Sequence, residues 1–151
     1  MTCKGVSNLK EKPDCPEGYE CYAEVITDKS IKLLKDTIGK TYIKLEDSEN
    51  YNVIKYTYLY KGDPQISDDT YRENIYFQIS KTEKSLELSD QALSDLKLII
   101  QKACFCRDSG YELITEGDLK VNKEKNTYNI KLNFQSKKQM KISGFQSSIE
   151  F

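Results

Sequence analysis

Histidine and tryptophan are both absent from the 151-residue sequence. Without histidine the chain lacks the usual general base and the commonest transition-metal ligand, which excludes serine-hydrolase, cysteine-protease and most catalytic zinc chemistries. The lack of tryptophan weakens the case for a surface that stacks on carbohydrate. No apolar run reaches the length of about 18 residues that a membrane span needs, so the sequence predicts no transmembrane segment.

The charges of the chain are nearly balanced. There are 23 lysines and arginines against 24 aspartates and glutamates, which gives a net charge of −1. The basic residues are scattered singly instead of clustering, so nucleic acid is not an expected partner. The apolar fraction of 38% and the charged fraction of 31% are typical of a soluble globular domain. A chain of this length buries roughly 70% of its unfolded surface, which allows one core without any crosslink.

Periodicity divides the chain into a leader and one domain. Residues 1–18 show no repeat of apolar positions and predict an irregular tether, whereas 19–151 predict a single β-rich domain. Alternating or β-branched patterns predict strands at 20–26, 31–36, 40–46, 51–61, 74–80, 84–88, 111–121, 128–134 and 140–151. The clearest hairpin joins the segment after Tyr111 to the strand 128–134, whose apolar residues alternate strictly. A change of phase at Ser143 and Gly144 predicts a bulge or a corner.

One segment has a helical pattern. Apolar residues at a spacing near 3.6 predict an amphipathic helix over about 89–103, with Ser89 as its N-cap and Asp90 in its first turn. The buried stripe would comprise Ala92, Leu93, Leu96, Ile99, Ile100 and Ala103. The predicted fold class is therefore α+β, mainly antiparallel β: a curled sheet of about seven to nine strands, closed as a barrel or split as a sandwich, with one packed helix.

Cysteine occurs five times, at positions 3, 15, 21, 104 and 106. A disulfide within the pair Cys104 and Cys106 would close a small strained ring, which ordinary disulfide geometry disfavours. We therefore expect both of these cysteines to be bonded to Cys15 and Cys21, so that the end of the helix is tied to the N-terminal region. Four cysteines allow three pairings, and the sequence does not choose among them. Disulfides imply an oxidising compartment.

Two other uses of the cysteines are open. A Cys-x-Cys pair can bind Cu(I) or Zn(II) in a reducing cytosol, although the spacing of Cys15 and Cys21 matches no common zinc knuckle. A catalytic thiol is a weaker hypothesis, because there is no histidine and, apart from Arg107, no nearby cluster of lysine or arginine to lower a thiol pKa. We predict no metal site and no cofactor.

Cys3 lies at the extreme N-terminus, ahead of a polar segment. A bacterial lipoprotein begins in this way after its signal peptide is removed, with the thiol carrying the lipid. Met1 and Thr2 have neither the charged nor the apolar region of an export signal, so we expect the natural signal to be missing from this sequence. The alternative is a free surface thiol in a cytosolic protein.

Several stretches together resemble those of another group of proteins. They are Cys3 with its polar tether, the DCPEGYEC stretch, the segment that ends in CFC, and the closing segments GDLKV, TYNIKLNF and ISGF. In these features the chain resembles the small uncharacterised secreted lipoproteins of Bacteroidetes. The resemblance implies a cell-envelope location and an anchor at Cys3, and it carries over no activity and no site residue.

Tyrosine, which occurs 11 times, supplies the main candidate binding residues. Tyr56, Tyr58 and Tyr60 alternate on one strand, and Tyr76 lies on a strand that could run alongside. They predict either a surface that binds a ligand by stacking and hydrogen bonding or ordinary packing beneath another element.

Two groups of carboxylates are weaker candidates. Asp63, Asp68 and Asp69 lack the spacing of a calcium loop, and aspartate is common in turns. Glu112 and Glu116 could form a glycosidase pair, but solvated strand faces carry such charges routinely.

The leading functional hypothesis is a non-enzymatic, lipid-anchored cell-envelope domain, in the periplasm or on the outer-membrane surface, that binds a protein or a small ligand. One alternative is an inhibitor or immunity-type protein that blocks a partner enzyme. A second alternative is a thiol-metal binding protein that uses the Cys-x-Cys pair.

Overall fold

The computed structural model describes residues 15–63, residue 65 and residues 70–151. Cys3 and most of the predicted tether lie outside the described residues, as do Asp68 and Asp69 of the acidic loop. The described part contains eleven strands and one short 3₁₀ helix. The strands are β1 Tyr19–Ile26, β2 Lys29–Lys35, β3 Thr41–Asp47, β4 Tyr51–Tyr60, β5 Tyr71–Ser80, β6 Ser85–Ser89, β7 Ile99–Ala103, β8 Gly110–Leu113, β9 Gly117–Glu124, β10 Thr127–Phe134 and β11 Gly144–Glu150.

All strand pairs are antiparallel, and they form three sheets. The five-stranded sheet has the order β1-β4-β5-β7-β8, the four-stranded sheet has the order β11-β10-β9-β6, and β2 and β3 form a separate hairpin. The prediction of a mainly antiparallel β fold with one helix is confirmed in this coarse form. The predicted count of strands was too low, and the described strands do not close into a barrel.

The main core lies between the two larger sheets. Ile54, Ile75 and Phe77 of the first sheet share one apolar cluster with Leu119 and Tyr128 of the second. On strand β10 the alternation predicted from sequence is confirmed, because Tyr128, Ile130, Leu132 and Phe134 are all buried there. The β2–β3 hairpin packs on the other side of the first sheet. There Ile31 of the hairpin and Val53 of the sheet belong to a second, smaller apolar cluster.

The long helix predicted for 89–103 is wrong. The 3₁₀ helix spans Asp90–Leu96, and it ends at Lys97, whose backbone is left-handed with φ 53° and ψ 45°. The Ser89 side chain makes no cap hydrogen bond, and its hydroxyl donates instead to Asp118 Oδ1 at 2.7 Å.

The remainder of the predicted helix is strand β7, which lies between β5 and β8. Ile100 faces the main core and Ile99 faces the smaller core, so consecutive residues are apolar because both faces of the strand are covered. A strand that is buried on both faces has no alternation, and this is why its isoleucines matched a helical stripe.

Gly144 begins strand β11, so the predicted change of phase at Ser143 and Gly144 falls where the loop meets this strand. Its φ is +154°, and a Cβ at this position would collide with the Leu132 carbonyl oxygen. A side chain is therefore excluded where β10 and β11 approach each other, and the expected bulge is replaced by a close contact between backbones.

Candidate functional site

The four predicted ligand-binding tyrosines do not form one exposed surface. Tyr58 is 5% exposed and Tyr76 is 8% exposed. The ring of Tyr56 stacks on Phe145 of the second sheet, with the centroids 4.4 Å apart. Tyr60, which is half-buried, lies 5.1 Å from the ring of Tyr19 between centroids. Of the two interpretations given above, the structure favours packing beneath other elements, since most of this aromatic surface contacts other residues.

Tyr76 lies on the opposite face of the sheet from the other three. It pairs across the strands with Lys55, whereas Tyr56 pairs with Ile75, and side chains of successive residues alternate between the two faces. Burial raises the pKa of Tyr76 to about 12. The ring belongs to the smaller core.

The described cysteines form two local pairs, Cys15–Cys21 and Cys104–Cys106, with Cα atoms 5.9 and 5.3 Å apart. The predicted crosslinks between the N-terminal region and the Cys-x-Cys segment are wrong. Strand β1 is separated from β7 by β4 and β5, which places them about 14 Å apart at the usual strand spacing, whereas a disulfide requires Cα atoms within about 7 Å. The predicted use of these four cysteines in disulfides agrees with the structure, although their partners differ.

The Cys104–Cys106 disulfide closes a turn that exposes an aromatic ring. The side chain of Phe105 is 89% exposed, more than that of any other large apolar residue among those described. We call residues 104–108 the Phe105 loop. An open cavity of about 490 Å³ lies beside it, lined by Thr70, Arg72, Ala103, Cys104 and Phe105.

Lys102 holds the base of the Phe105 loop. Its Nζ lies 2.8 Å from Asp108 Oδ1 and donates to the Gln139 carbonyl oxygen at 2.6 Å. The Lys102 ammonium, together with the N–H of Gln139, lowers the pKa of Asp108 below its usual value. The Lys102 side chain is only 8% exposed, and its ion pair with Asp108 attaches the Phe105 loop to strand β7.

Three carboxylates bind the segment 136–142, and we call this arrangement the carboxylate clamp. Glu73 accepts hydrogen bonds from the N–H groups of Lys141 at 2.7 Å and Ile142 at 3.0 Å. Glu112 accepts from the N–H of Lys137 at 2.9 Å. The third carboxylate is Asp108, which accepts from the N–H of Gln139 at 2.9 Å. The clamp joins the first sheet to the loop between β10 and β11, so Glu112 has a structural role at this junction.

Tyr71 completes the partly buried polar cluster behind the Phe105 loop. Its hydroxyl donates to the Glu73 carboxylate. Burial, followed by that hydrogen bond, raises the pKa of Tyr71 far above its usual value. The amines of Lys102 and Lys141 lie 6.0 and 5.4 Å from the centroid of its ring. These residues support the loop from inside, and the loop itself offers solvent an aromatic ring, the Arg107 guanidinium and a disulfide.

Sequence reasoning missed both the exposed ring and the clamp. The signal for the exposed Phe105 ring was a large apolar residue between two cysteines, at a point where the helical spacing had ended and the strand alternation had not begun. The clamp had no local signal, because its members lie far apart in the chain.

Comparison of the chain with protein-family models, with curated proteins and with solved structures found no match. Across the described ranges no helix has the length and apolar content that crossing a membrane requires. Within the same part of the chain, no group of three or more cysteine or carboxylate side chains is arranged to hold a metal ion.

Proposed function

We propose that this chain is a non-enzymatic domain of a cell-envelope lipoprotein that binds a partner protein through the Phe105 loop. The observation that carries the proposal is that Phe105 is 89% exposed on a turn closed by a disulfide. An aromatic ring that is held out rigidly loses little conformational freedom on binding and buries a large apolar area, and such rings are common energetic anchors of interfaces.

The charges near the ring define the chemistry of the partner. Arg107 is exposed next to Cys106, and the exposed Arg72 lines the cavity beside the ring. Arginine, like the large aromatic residues, is enriched among the residues that dominate binding energy. The partner we propose therefore has an apolar pocket that receives Phe105 and carboxylates at the rim of that pocket.

An exported location is part of the proposal. Two disulfides within one small domain support an oxidising compartment. Cys3 lies upstream of the domain and is proposed to carry the lipid, in keeping with the resemblance to secreted lipoproteins. Labelling of the full-length protein in cells with a palmitate analogue tests this: we expect label on the wild type and none on Cys3→Ser, and equal labelling of both would refute the anchor.

The binding surface is tested by site-specific photo-crosslinking. A photoreactive phenylalanine analogue replaces Phe105 in one sample and Ile38 in another, because Ile38 is 75% exposed at the tip of the β2–β3 hairpin and serves as a matched apolar control. We expect a discrete crosslinked partner from position 105 alone.

The crosslinked partner is then purified, and its affinity is measured by calorimetry. We expect Phe105→Ala to weaken the dissociation constant at least tenfold, Arg107→Gln to weaken it and Ile38→Ala to leave it unchanged. Equal effects of Phe105→Ala and Ile38→Ala would refute the proposed surface. An inhibitor would present the same kind of loop, so the activity of an enzymatic partner in the complex distinguishes blocking from simple binding.

A further inference from the structure

We propose that Cys104 and Cys106 are a redox-active pair that exchanges its disulfide with a dithiol of another protein. The proposal does not rest on the proposed binding function. Its tests use small dithiols and the purified chain, so it can fail while partner binding stands, and the reverse also holds.

The position of the pair favours exchange. Both cysteines are partly exposed, and they lie between the end of β7 at Ala103 and the start of β8 at Gly110. Opening the disulfide therefore breaks no strand pairing. Only one residue separates the two cysteines, so the closed ring is small, and small or exposed disulfides are the more easily reduced ones.

The second disulfide of the chain is an internal comparison. Cys21 is 5% exposed on β1 and belongs to the main core, and Cys15 packs against the same core. This pair spans six positions in the sequence. Because attack on a disulfide requires access to a sulfur atom, Cys15–Cys21 is expected to resist thiols that reduce Cys104–Cys106.

Folding adds a cation that is distant in the sequence. Arg72 of β5 lines the same cavity as Cys104, while Arg107 directly follows Cys106. Nearby guanidinium groups stabilise a thiolate and make it a better leaving group. Arg107 is adjacent to the pair in the sequence, and the pairing of Arg72 with Ala103 across the sheet adds a second guanidinium.

The proposed step conserves atoms and electrons. The thiolate of an incoming dithiol attacks Sγ of Cys106, forming a mixed disulfide, and Cys104 leaves as a thiolate at the cavity that Arg72 also lines. The second thiol of the incoming molecule, after losing its proton, attacks the mixed disulfide and releases Cys106. The dithiol is thereby oxidised to a disulfide by two electrons, and the pair is reduced to two thiols that take up the two protons.

The first test is a redox titration of the folded wild-type protein. Samples are equilibrated with dithiothreitol at stated ratios of reduced to oxidised form, free thiols are alkylated, and both cysteine pairs are quantified by peptide mass spectrometry. We expect half-reduction of Cys104–Cys106 at a ratio at least tenfold lower than for Cys15–Cys21. A difference of less than tenfold, or the opposite order, would overturn the proposal.

A second test follows the transfer itself. Oxidised protein is mixed with a reduced dithiol peptide, and we expect one equivalent of peptide disulfide per protein, with free thiols appearing at Cys104 and Cys106. The double variant Cys104→Ser/Cys106→Ser should form no peptide disulfide while its circular dichroism stays native. Transfer by that variant, or none by the wild type, would refute exchange at this pair.

The role of Arg72 has its own readout. We expect Arg72→Gln to slow reduction of Cys104–Cys106 by dithiothreitol at least threefold at pH 7. Lys55→Gln, which removes a cation from another part of the five-stranded sheet, should leave that rate unchanged. Equal rates for both variants would show that Arg72 does not stabilise the leaving thiolate. Exchange would then be attributed only to the exposure of the disulfide and to the small size of the ring that it closes.

Discussion

Glu73 and Lys102 lie directly opposite each other on strands β5 and β7, and both are buried. Each of them bonds to the loop between β10 and β11. Glu73 accepts from the N–H groups of Lys141 and Ile142, while Lys102 donates to the carbonyl oxygen of Gln139. Two buried charges on interior strands of the five-stranded sheet thus connect that sheet to a loop of the four-stranded sheet, and Lys102 also holds the Phe105 loop through Asp108.

Replacing Glu73 by glutamine should destabilise the fold. The amide has a single acceptor oxygen, and its NH₂ group would face the N–H groups that the carboxylate now satisfies. A buried donor without an acceptor costs about 1–3 kcal/mol. We therefore expect Glu73→Gln to lower the free energy of unfolding by about 2 kcal/mol in urea titrations. Glu87→Gln on the exposed side of β6 is the control and should change it little; equal effects of both variants would contradict a structural role for the clamp.

Asp108 should make the stability of the protein depend on acid pH. Its pKa is lowered in the folded state, chiefly by the Lys102 ammonium, relative to about 3.9 in an unfolded chain. A lowered pKa means that the stabilisation is present above the unfolded value and is lost as the pH falls through the folded value.

Asp108→Asn should therefore be less stable than the wild type at pH 7, and the difference should shrink by pH 2. Urea midpoints measured at both pH values test this expectation. Asp95→Asn, an exposed change in the 3₁₀ helix, provides the control. A constant difference between wild type and Asp108→Asn at both pH values would show that the charge of Asp108 contributes nothing.

Tyr58 is expected to act through packing and not through recognition. Its ring is 5% exposed and lies 4.8 Å from the ring of Tyr19 between centroids. Truncating a buried aromatic residue to alanine costs about 3–5 kcal/mol, so Tyr58→Ala should lower the free energy of unfolding by about 3 kcal/mol. Tyr22→Ala, at 44% exposure on β1, should cost less than about 0.5 kcal/mol. If Tyr58→Ala were as mild as Tyr22→Ala, the placement of this ring in the core would be wrong.

Gly144 should not tolerate a side chain. Gly144→Ala would combine a left-handed backbone with a collision at the Leu132 carbonyl oxygen, and we expect a loss of at least about 2 kcal/mol. Gly39 also has a positive φ, of +84°, but a Cβ there meets open space. Gly39→Ala should therefore cost about 1 kcal/mol, the penalty of the backbone alone. Thermal unfolding of both variants separates the cost of the backbone conformation from the cost of the collision. Similar losses of stability in the two variants would rule out the collision.

Strand β10 shows which parts of this fold can be predicted from the local sequence. Its residues Tyr128, Ile130, Leu132 and Phe134 were predicted to share one buried face, and they do, because one side of the strand packs on the core and the other meets solvent. Strand β7 shows the limit of that argument. It is covered on both faces, so its apolar residues are consecutive, and nothing in the segment itself distinguishes it from a helix.

The candidate site divides in the same way. The spacing of Cys104 and Cys106 in the sequence indicated a candidate site. The composition, which has no histidine, excluded chemistry that depends on that residue. Their actual pairing could not be inferred, because it depends on the strand order that keeps β1 away from β7. The choice between binding surface and packing for the tyrosines was open for a related reason, since alternation places residues on a face but does not say whether another sheet covers that face.

The sequence by itself determined a mainly antiparallel β domain, the alternating core of its last hairpins and the absence of histidine chemistry, because these depend on residue type and short-range periodicity. The tertiary structure alone decided that Phe105 is exposed, that Arg72 and Cys104 line one cavity and that Glu73, Asp108 and Glu112 bind one loop. Those contacts join residues from different strands, and their energies depend on burial that exists only after the sheets have packed.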